Sequence, residues 1–330
     1  MNINPHNPLT ASELSLLWTS YLNDSMATCG ISFFLEHVED EEIRKLLEFA
    51  LDMSKRHVAK VTAIFNEETY PLPQGFTEED VNLQAPRLFS DVLYLHYIAN
   101  MGKFGLTAYS VALSTSSRDD IVAYYSTAMQ ETIELHNWGK KLMKKKGIYT
   151  HDPSLPTPRG IDFVKNKSFL KKSRPLLGVE IANLWYNSLR NALGQALIQG
   201  FAQVAEKKEV RHFFARGREI AGKHFKVFNE KLHDDYIGEG SILLTSEVTD
   251  SQQPPFSDKL MMYHITTLIA SAVGQYGAAI SSSPRHDLGL LYTRLCAEII
   301  NYAADGAHMM IENGWMEQPP QAADRRKLAE

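Results

Sequence analysis

The chain has 330 residues, of which 44% are hydrophobic and 22% charged, and its formal net charge is −5. This composition is typical of a globular protein, and the length suggests about two domains. The acidic balance argues against a nucleic-acid partner, because proteins that bind phosphate backbones usually carry surplus positive charge. Two cysteines without a C-x-x-C motif exclude a disulfide framework and a cysteine zinc site. The first residues lack the basic start and apolar run of a signal peptide, which predicts a cytoplasmic protein.

Two antiparallel helices are predicted at the start of the chain. Thr10 and Glu13 have the spacing of a capping box, which predicts a helix from there to about His37. A short corner at residues 38–40 then predicts an antiparallel second helix. The second helix has apolar positions at helical spacing, interrupted by one histidine: Ile43, Leu46, Ala50, Met53, His57 and Ile64.

A long connection separates these helices from the next two. Residues 66–87 are rich in proline, glycine and acids, and a third helical pattern follows with Val92, Leu95 and Tyr109 among its apolar positions. Ser117 and Asp120 are expected to mark a short corner and to cap a fourth helix. Short, long and short connections are typical of a four-helix bundle with one crossover, the ferritin-like arrangement.

The whole pattern occurs twice. A shift of 167 positions aligns His57 with His224 and Glu131 with Glu298, and the register continues through the loops. Such self-similarity indicates a tandem duplication. The second long connection is expected at residues 233–256.

The sequence therefore predicts an all-α protein of two tandem ferritin-like four-helix bundles, each with a long crossover between its second and third helices. The first bundle is predicted at residues 1–155 and the second at residues 176–318. A proline-containing and basic linker is predicted at residues 156–175, and a flexible tail at residues 319–330.

One segment is long enough to span a bilayer. Residues 260–283 contain no Asp, Glu, Lys or Arg, but His264, Gln275 and several hydroxyl groups interrupt the apolar run. This composition favours a helix of small residues buried among other helices, so no membrane span is predicted.

Three features give the chain a family resemblance: the duplicated Leu17-Trp18 and Leu184-Trp185 motif, the histidine of the second helix, and Tyr124-Tyr125 at the start of the fourth. With these features it resembles the tandem ferritin-like proteins of spore-forming firmicutes, a family catalogued as a domain of unknown function and often labelled spore coat protein-like. The resemblance implies a structural or interaction role among other proteins, with spore coat components as partners. It implies no particular chemistry.

Polar residues that interrupt the apolar stripes are the candidate metal ligands. Di-metal ferritin-like enzymes take a Glu from each of two helices and a Glu-x-x-His pair from each of the other two. Asp24, His57 and Glu131 interrupt three stripes at about the same height, within roughly 6–8 Å along the bundle axis. The second repeat keeps His224 and Glu298.

The di-metal pattern is nevertheless incomplete. Ser54 stands where the acid before His57 would be, Ala221 stands before His224, and Asn191 replaces Asp24 in the second repeat. The third helix offers no acid on its stripe. The sequence therefore favours buried, hydrogen-bonded His–Glu pairs without a cofactor.

A single iron or manganese ion is the alternative to a cofactor-free pair. Asp305-x-x-His308 has ligand spacing, which adds these two residues to Glu298 as candidates in the second repeat.

Three functions follow as hypotheses. The first is a non-catalytic structural or interaction protein, linked to sporulation or the spore coat, with homo-oligomerisation left open. The alternative is a metal-binding ferritin-like protein or oxidoreductase. The third, a carrier of small ligands, is suggested only by the glycines and alanines of the third helix.

Overall fold

The computed structural model describes residues 8–164, 174–238 and 243–328. Within these ranges the chain folds into α-helices and contains no β-strand; a lone β-bridge joins Val81 and Phe256. The first repeat supplies α1 Ala11–His37, α2 Glu41–Glu67, α3 Asp91–Thr115 and α4 Asp119–Lys145. The second repeat supplies α5 Gly178–Val204, α6 Lys208–His233, α7 Asp258–Ser282 and α8 His286–Glu312. The predicted fold class, two four-helix bundles with a long crossover in each, is confirmed.

The chain divides into two compact units. The first contains residues 1–147, 253–261 and 310–330, and the second contains residues 148–252 and 262–309. The first unit thus takes in the beginning of α7 and the end of α8, which the sequence analysis placed in the second bundle.

The starts of α1 and α2 follow the capping rules. Thr10 Oγ1 accepts the N–H of Glu13 at 3.2 Å, and Glu13 Oε2 accepts the N–H of Thr10 at 2.8 Å, which completes the predicted capping box. Asp40 caps α2 by accepting the N–H groups of Glu42 and Ile43. These side chains satisfy backbone donors that have no partner inside the helix.

The start of α4 differs from the prediction. Neither Ser117 nor Asp120 caps it: the N-cap residue is Arg118, without a capping hydrogen bond from its own side chain. Instead, Glu13 Oε1 accepts the N–H groups of Ser117 and Arg118 at 2.8 and 2.9 Å. The expected cap was wrong because a carboxylate from α1 supplies the acceptor and Asp120 pairs with the Arg118 guanidinium instead.

A corresponding carboxylate makes the same kind of contact in the second unit. Glu180, fully buried at the start of α5, accepts the N–H groups of Leu177 and Arg285 at 2.8 and 3.0 Å. Here the Arg174 guanidinium also donates to both carboxylate oxygens, each at 2.8 Å. In both repeats one buried Glu therefore connects the first helix to the corner before the fourth.

From Leu260 onward helix α7 contains no charged residue, and this part has one buried and one exposed face. Among the described residues, no helix has the length and hydropathy required to cross a membrane. Leu260, Ile265 and Ile269 are buried as expected. A second face is exposed, which the expectation of a fully enclosed helix did not include: Ala270, Gly274, Gly277, Ala278 and Ser281.

Candidate functional site

The first repeat contains a polar cluster on His57, at the middle of α2. His57 Nε2 lies 2.8 Å from Glu131 Oε2 on α4, and His57 Nδ1 lies 3.4 Å from Asp24 Oδ2 on α1. The hydroxyl of Tyr109 on α3 lies 3.3 Å from the same Nδ1. His57 and Asp24 are buried. The cluster therefore joins all four helices of the first bundle through one imidazole ring.

The outer edge of this cluster reaches the surface through Arg56. Its Nη2 and Nε atoms donate to Glu131 Oε1 at 2.7 and 3.2 Å. The side chain of Arg56 is about half exposed, whereas that of Glu131 is mostly covered. Glu131 thus has one oxygen bound to buried His57 and the other to a cation at the solvent boundary.

The second repeat builds the same cluster with two residues changed: Asn191 stands in place of Asp24, and Lys223 in place of Arg56. His224 Nε2 lies 3.1 Å from Glu298 Oε2, and its Nδ1 lies 3.0 Å from the Tyr276 hydroxyl. Asn191, which occupies the position of Asp24, donates through Nδ2 to the Tyr276 oxygen at 3.0 Å. Lys223 donates to both oxygens of Glu298 at 2.8 Å.

The exchange of Asp24 for Asn191 changes the charge preference of the two histidines. Burial alone would lower the pKa of His57, but hydrogen bonds and charges from Asp24 and Glu131 outweigh it and raise the pKa above its ordinary value of 6.5. Burial dominates at His224, where Glu298 is the one carboxylate partner, and the pKa falls below 6.5. The first cluster therefore favours a charged imidazole and the second a neutral one.

These preferences fit the hydrogen-bond partners. A neutral His224 donates from Nε2 to Glu298 and accepts from the Tyr276 hydroxyl at Nδ1, while the Tyr276 oxygen accepts from Asn191. A protonated His57 donates from both ring nitrogens, towards Glu131 and Asp24. Each ring nitrogen of the two histidines thus faces a partner of the matching kind.

Whether these residues suit a di-metal centre can be judged from their hydrogen bonds. Both ring nitrogens of His57 and both oxygens of Glu131 already face protein partners, so metal coordination would require these contacts to open. Ser54 Oγ, at the position of the missing acid, is buried and makes no hydrogen bond within the described residues. In the same part of the chain, no group of three or more His, Cys, Asp or Glu side chains is arranged to hold a metal ion. Without an acid before His57, this donor set does not match the ferritin-like di-metal pattern.

The two additional candidates on α8 lie apart from the histidine of the second cluster. Asp305 pairs with Arg216 Nη2 at 2.5 Å, and more than half of its side chain is exposed. His308 is exposed one turn further along the helix. Asp305 follows Glu298 by two helical turns, roughly 10 Å along the axis, so the two carboxylates are too far apart to share one ion directly. Glu298 and Asp305 instead line an open cleft together with Arg216 and Lys223.

Two members of each cluster were not assigned a role by the sequence analysis. Tyr109 and Tyr276 align under the 167-residue shift, and so do Arg56 and Lys223. A tyrosine on an apolar stripe is usually a core residue, so the sequence did not indicate that its hydroxyl contacts the histidine. The cation immediately before the histidine in both repeats was the available signal for the outer ion pair.

We expect His57→Ala to lower the free energy of unfolding by about 1–3 kcal/mol, because it leaves buried Asp24 and the inner oxygen of Glu131 without their partner. Arg56→Ala is the matched control: it removes the neighbouring, half-exposed contact to Glu131, and we expect a loss of about 0–1 kcal/mol. Urea unfolding of the two variants measures the difference. Equal losses would contradict the account of the buried cluster.

The comparisons with known proteins agree with the duplication. A family described as "Protein of unknown function (DUF3231)" matches residues 1–161 and, a second time, residues 165–328. The chain belongs to the DUF3231 family. Its two polar clusters thus lie one in each DUF3231 region, and the shared name carries no assigned chemistry.

No curated protein matches the chain. Among solved structures, it is similar to a "putative spore coat protein" from Bacillus halodurans C-125, at 22% sequence identity and a TM-score of 0.40. The similarity covers 48% of this chain and 100% of that one.

Proposed function

We propose that this DUF3231 protein is a non-catalytic structural or interaction protein, associated with sporulation or the spore coat. In this proposal the two histidine clusters connect the helices of each bundle and hold no cofactor. The observation that carries it is the closed hydrogen bonding of His57: Nε2 is engaged by Glu131, and Nδ1 faces Asp24 and Tyr109. A buried polar network in which each member is satisfied stabilises a unique arrangement of helices.

The link with the spore coat comes from the sequence resemblance. Its test is the detection of the protein with a specific antibody in coat extracts of purified spores, beside lysates of growing cells of the same strain. Enrichment in the coat extract supports the association. Presence in growing cells and absence from spores would contradict it.

The second candidate function is that of a metal-binding ferritin-like protein or oxidoreductase. It is favoured by the convergence of Asp24, His57 and Glu131, an O/N donor set that suits iron or manganese, on three helices of one bundle. The two functions differ in whether the purified protein retains a bound metal ion.

Elemental analysis separates the two candidates. We expect the untagged protein, purified without chelators after growth with added iron and manganese, to contain well below one metal ion per chain. We also expect its thermal unfolding midpoint to be the same with EDTA as with excess Mn²⁺, because a ligand that binds only the native state would raise it. Iron or manganese close to one ion per repeat, lost in a variant with both His57→Ala and His224→Ala, would establish the second candidate instead.

A further inference from the structure

Helix α8 has a second apolar face besides the one that packs into its bundle. Its buried side includes Tyr292, Leu295 and Tyr302. On another side, Leu290 is 58% exposed and Ile300 is 49% exposed. These two belong to a run with alternating spacings of three and four residues, the heptad spacing of helices that pair with another helix: Leu290, Thr293, Ala297, Ile300, Ala304 and Ala307.

The neighbouring helix α7 extends this face with small residues. The two helices pack together, since the rings of Tyr276 and Tyr292 lie with centroids 5.8 Å apart. The exposed positions of α7 are small: Ala270, Gly274, Gly277, Ala278 and Ser281. We call this combined set on α7 and α8 the α7–α8 face. Its members carry no charge.

The first repeat provides an internal comparison. The positions of α4 that correspond to the α8 run are mostly polar: Ala123, Ser126, Gln130, Ile133, Asn137 and Lys140. Both helices occupy the same place in the same fold, so the fold itself does not require an apolar surface there. The apolar run is particular to the second repeat, and such a surface typically marks an interaction site.

We propose that a second copy of this chain covers the α7–α8 face, with the two α8 helices antiparallel about a two-fold axis. When Ala297 of each helix faces Ile300 of the other, Thr293 faces Ala304 and Leu290 faces Ala307. Each large aliphatic side chain then meets an alanine, so the face is complementary to itself, as a two-fold interface requires. Small residues on both helices allow close packing.

The same arrangement is complementary in charge. Arg294, exposed beside the apolar run, lies within about 3 Å along the helix axis of the level of Asp305 in the second copy. Asp305 is more than half exposed, and its contact to Arg216 uses one carboxylate oxygen. Two such pairs, related by the axis, would border the interface.

The area of the α7–α8 face is small, which indicates a weak dimer. Eighteen residues of α8 span roughly 26 Å, and two adjacent helices are roughly 20 Å wide, which gives about 500 Å² per copy. About 1,000 Å² in total is at the lower limit for a specific interface. A dimer with a micromolar dissociation constant is therefore expected, because interfaces at the lower size limit are typical of weak association.

Sedimentation velocity of the full chain tests the proposal. We expect dimers at about 100 μM that dissociate on dilution towards 1 μM, as a micromolar dissociation constant requires. Ile300→Glu should leave a monomer at both concentrations, because it would bury an unpaired charge in the interface. The matched control Ile133→Glu, at the corresponding position of α4, should remain dimeric at 100 μM. Both positions are exposed, so both variants should keep the circular dichroism and melting temperature of the wild type.

Charge reversal tests the antiparallel register. Arg294→Asp alone and Asp305→Arg alone should each weaken the dimer, and the double variant should recover much of the wild-type association. A wild-type monomer at 100 μM would overturn the proposal and leave the face to a different partner. Equal dissociation by Ile300→Glu and Ile133→Glu would place the dimer contact elsewhere. A double variant as weak as the single ones would contradict the register. These experiments test association through the α7–α8 face only, so their failure would be distinct from a failure of the proposed function.

Discussion

Glu13→Gln is expected to lower the free energy of unfolding by about 3 kcal/mol at pH 7. The fully buried carboxylate of Glu13 accepts the N–H groups of Thr10, Ser117 and Arg118. Glutamine has one acceptor oxygen, and its amide group would face backbone donors that then lack a partner. Urea unfolding at pH 7 measures the loss.

The acid stability of the protein should reveal the same carboxylate. Burial alone would raise the pKa of Glu13, but the backbone hydrogen bonds from Arg118, Thr10 and Ser117 outweigh it and lower the pKa from 4.5 to about 2. A lowered pKa stabilises the folded state above the unfolded value of 4.5, and this contribution is lost as pH falls from 4.5 towards 2. A difference of 2.5 pH units corresponds to about 3 kcal/mol, in agreement with the expected loss in Glu13→Gln.

Glu48→Gln is the control for this experiment, because Glu48 is exposed on α2 and its charge can be removed without uncovering a backbone donor. We expect it to change the unfolding free energy by less than about 0.5 kcal/mol. The stability difference between wild type and Glu13→Gln should also shrink between pH 4.5 and pH 2. A difference that stays constant over this range would contradict the assigned pKa of Glu13.

The second large effect concerns the pKa values of His57 and His224. One substitution in each repeat should shift each pKa in the direction opposite to its present shift. Asp24→Asn removes one of the two carboxylates near His57, so the pKa of His57 should fall. Asn191→Asp places a carboxylate beside the Tyr276–His224 pair, so the pKa of His224 should rise. Proton–nitrogen correlation spectra of the two imidazoles across pH 5–9 measure both pKa values.

The linked changes in stability have opposite signs. The raised pKa of His57 stabilises the folded state below the unfolded value of 6.5, and this contribution is lost as pH rises through the folded pKa. The lowered pKa of His224 acts in reverse: it stabilises the folded state above 6.5, and the contribution decreases as pH falls through 6.5 towards the folded pKa. Asp24→Asn should therefore reduce stability most at the acidic side of neutrality.

Lys223→Gln serves as a control for the nitrogen spectra. It removes a cation that lowers the pKa of His224, so that pKa should rise slightly while the pKa of His57 stays unchanged. If Asp24→Asn left the pKa of His57 unaltered, Asp24 would not be the partner that keeps this imidazole charged.

Local patterns in the sequence were sufficient to predict the helices, the capping box at Thr10 and the duplicated register. The convergence of Asp24, His57 and Glu131 also followed from helix geometry, because stripe position and height are both fixed by the rise per residue. These are properties of single helices and of the connections between them.

Features that depend on contacts between elements could not be predicted in this way. Glu13 was recognised as the partner of Thr10, but its second oxygen binds the α3–α4 corner, more than one hundred residues away. Tyr109 lies on a stripe typical of core residues, and only the packing of α3 against α2 shows that its hydroxyl lies 3.3 Å from His57 Nδ1. The exposed face of α7 has the same composition as a buried one, so a lack of charge could not distinguish them.

We propose that His57 and its partners form a hydrogen-bonded connection between helices without a metal ion. A crystal of the full chain soaked in Mn²⁺ and measured for anomalous scattering tests this most directly, because the ion would be located at its ligands. The account predicts no anomalous peak between His57 and Glu131, with Nε2 and Oε2 still about 2.8 Å apart. A manganese peak bonded to His57 and to the carboxylates of Asp24 or Glu131, with the Nε2–Oε2 contact opened, would contradict it.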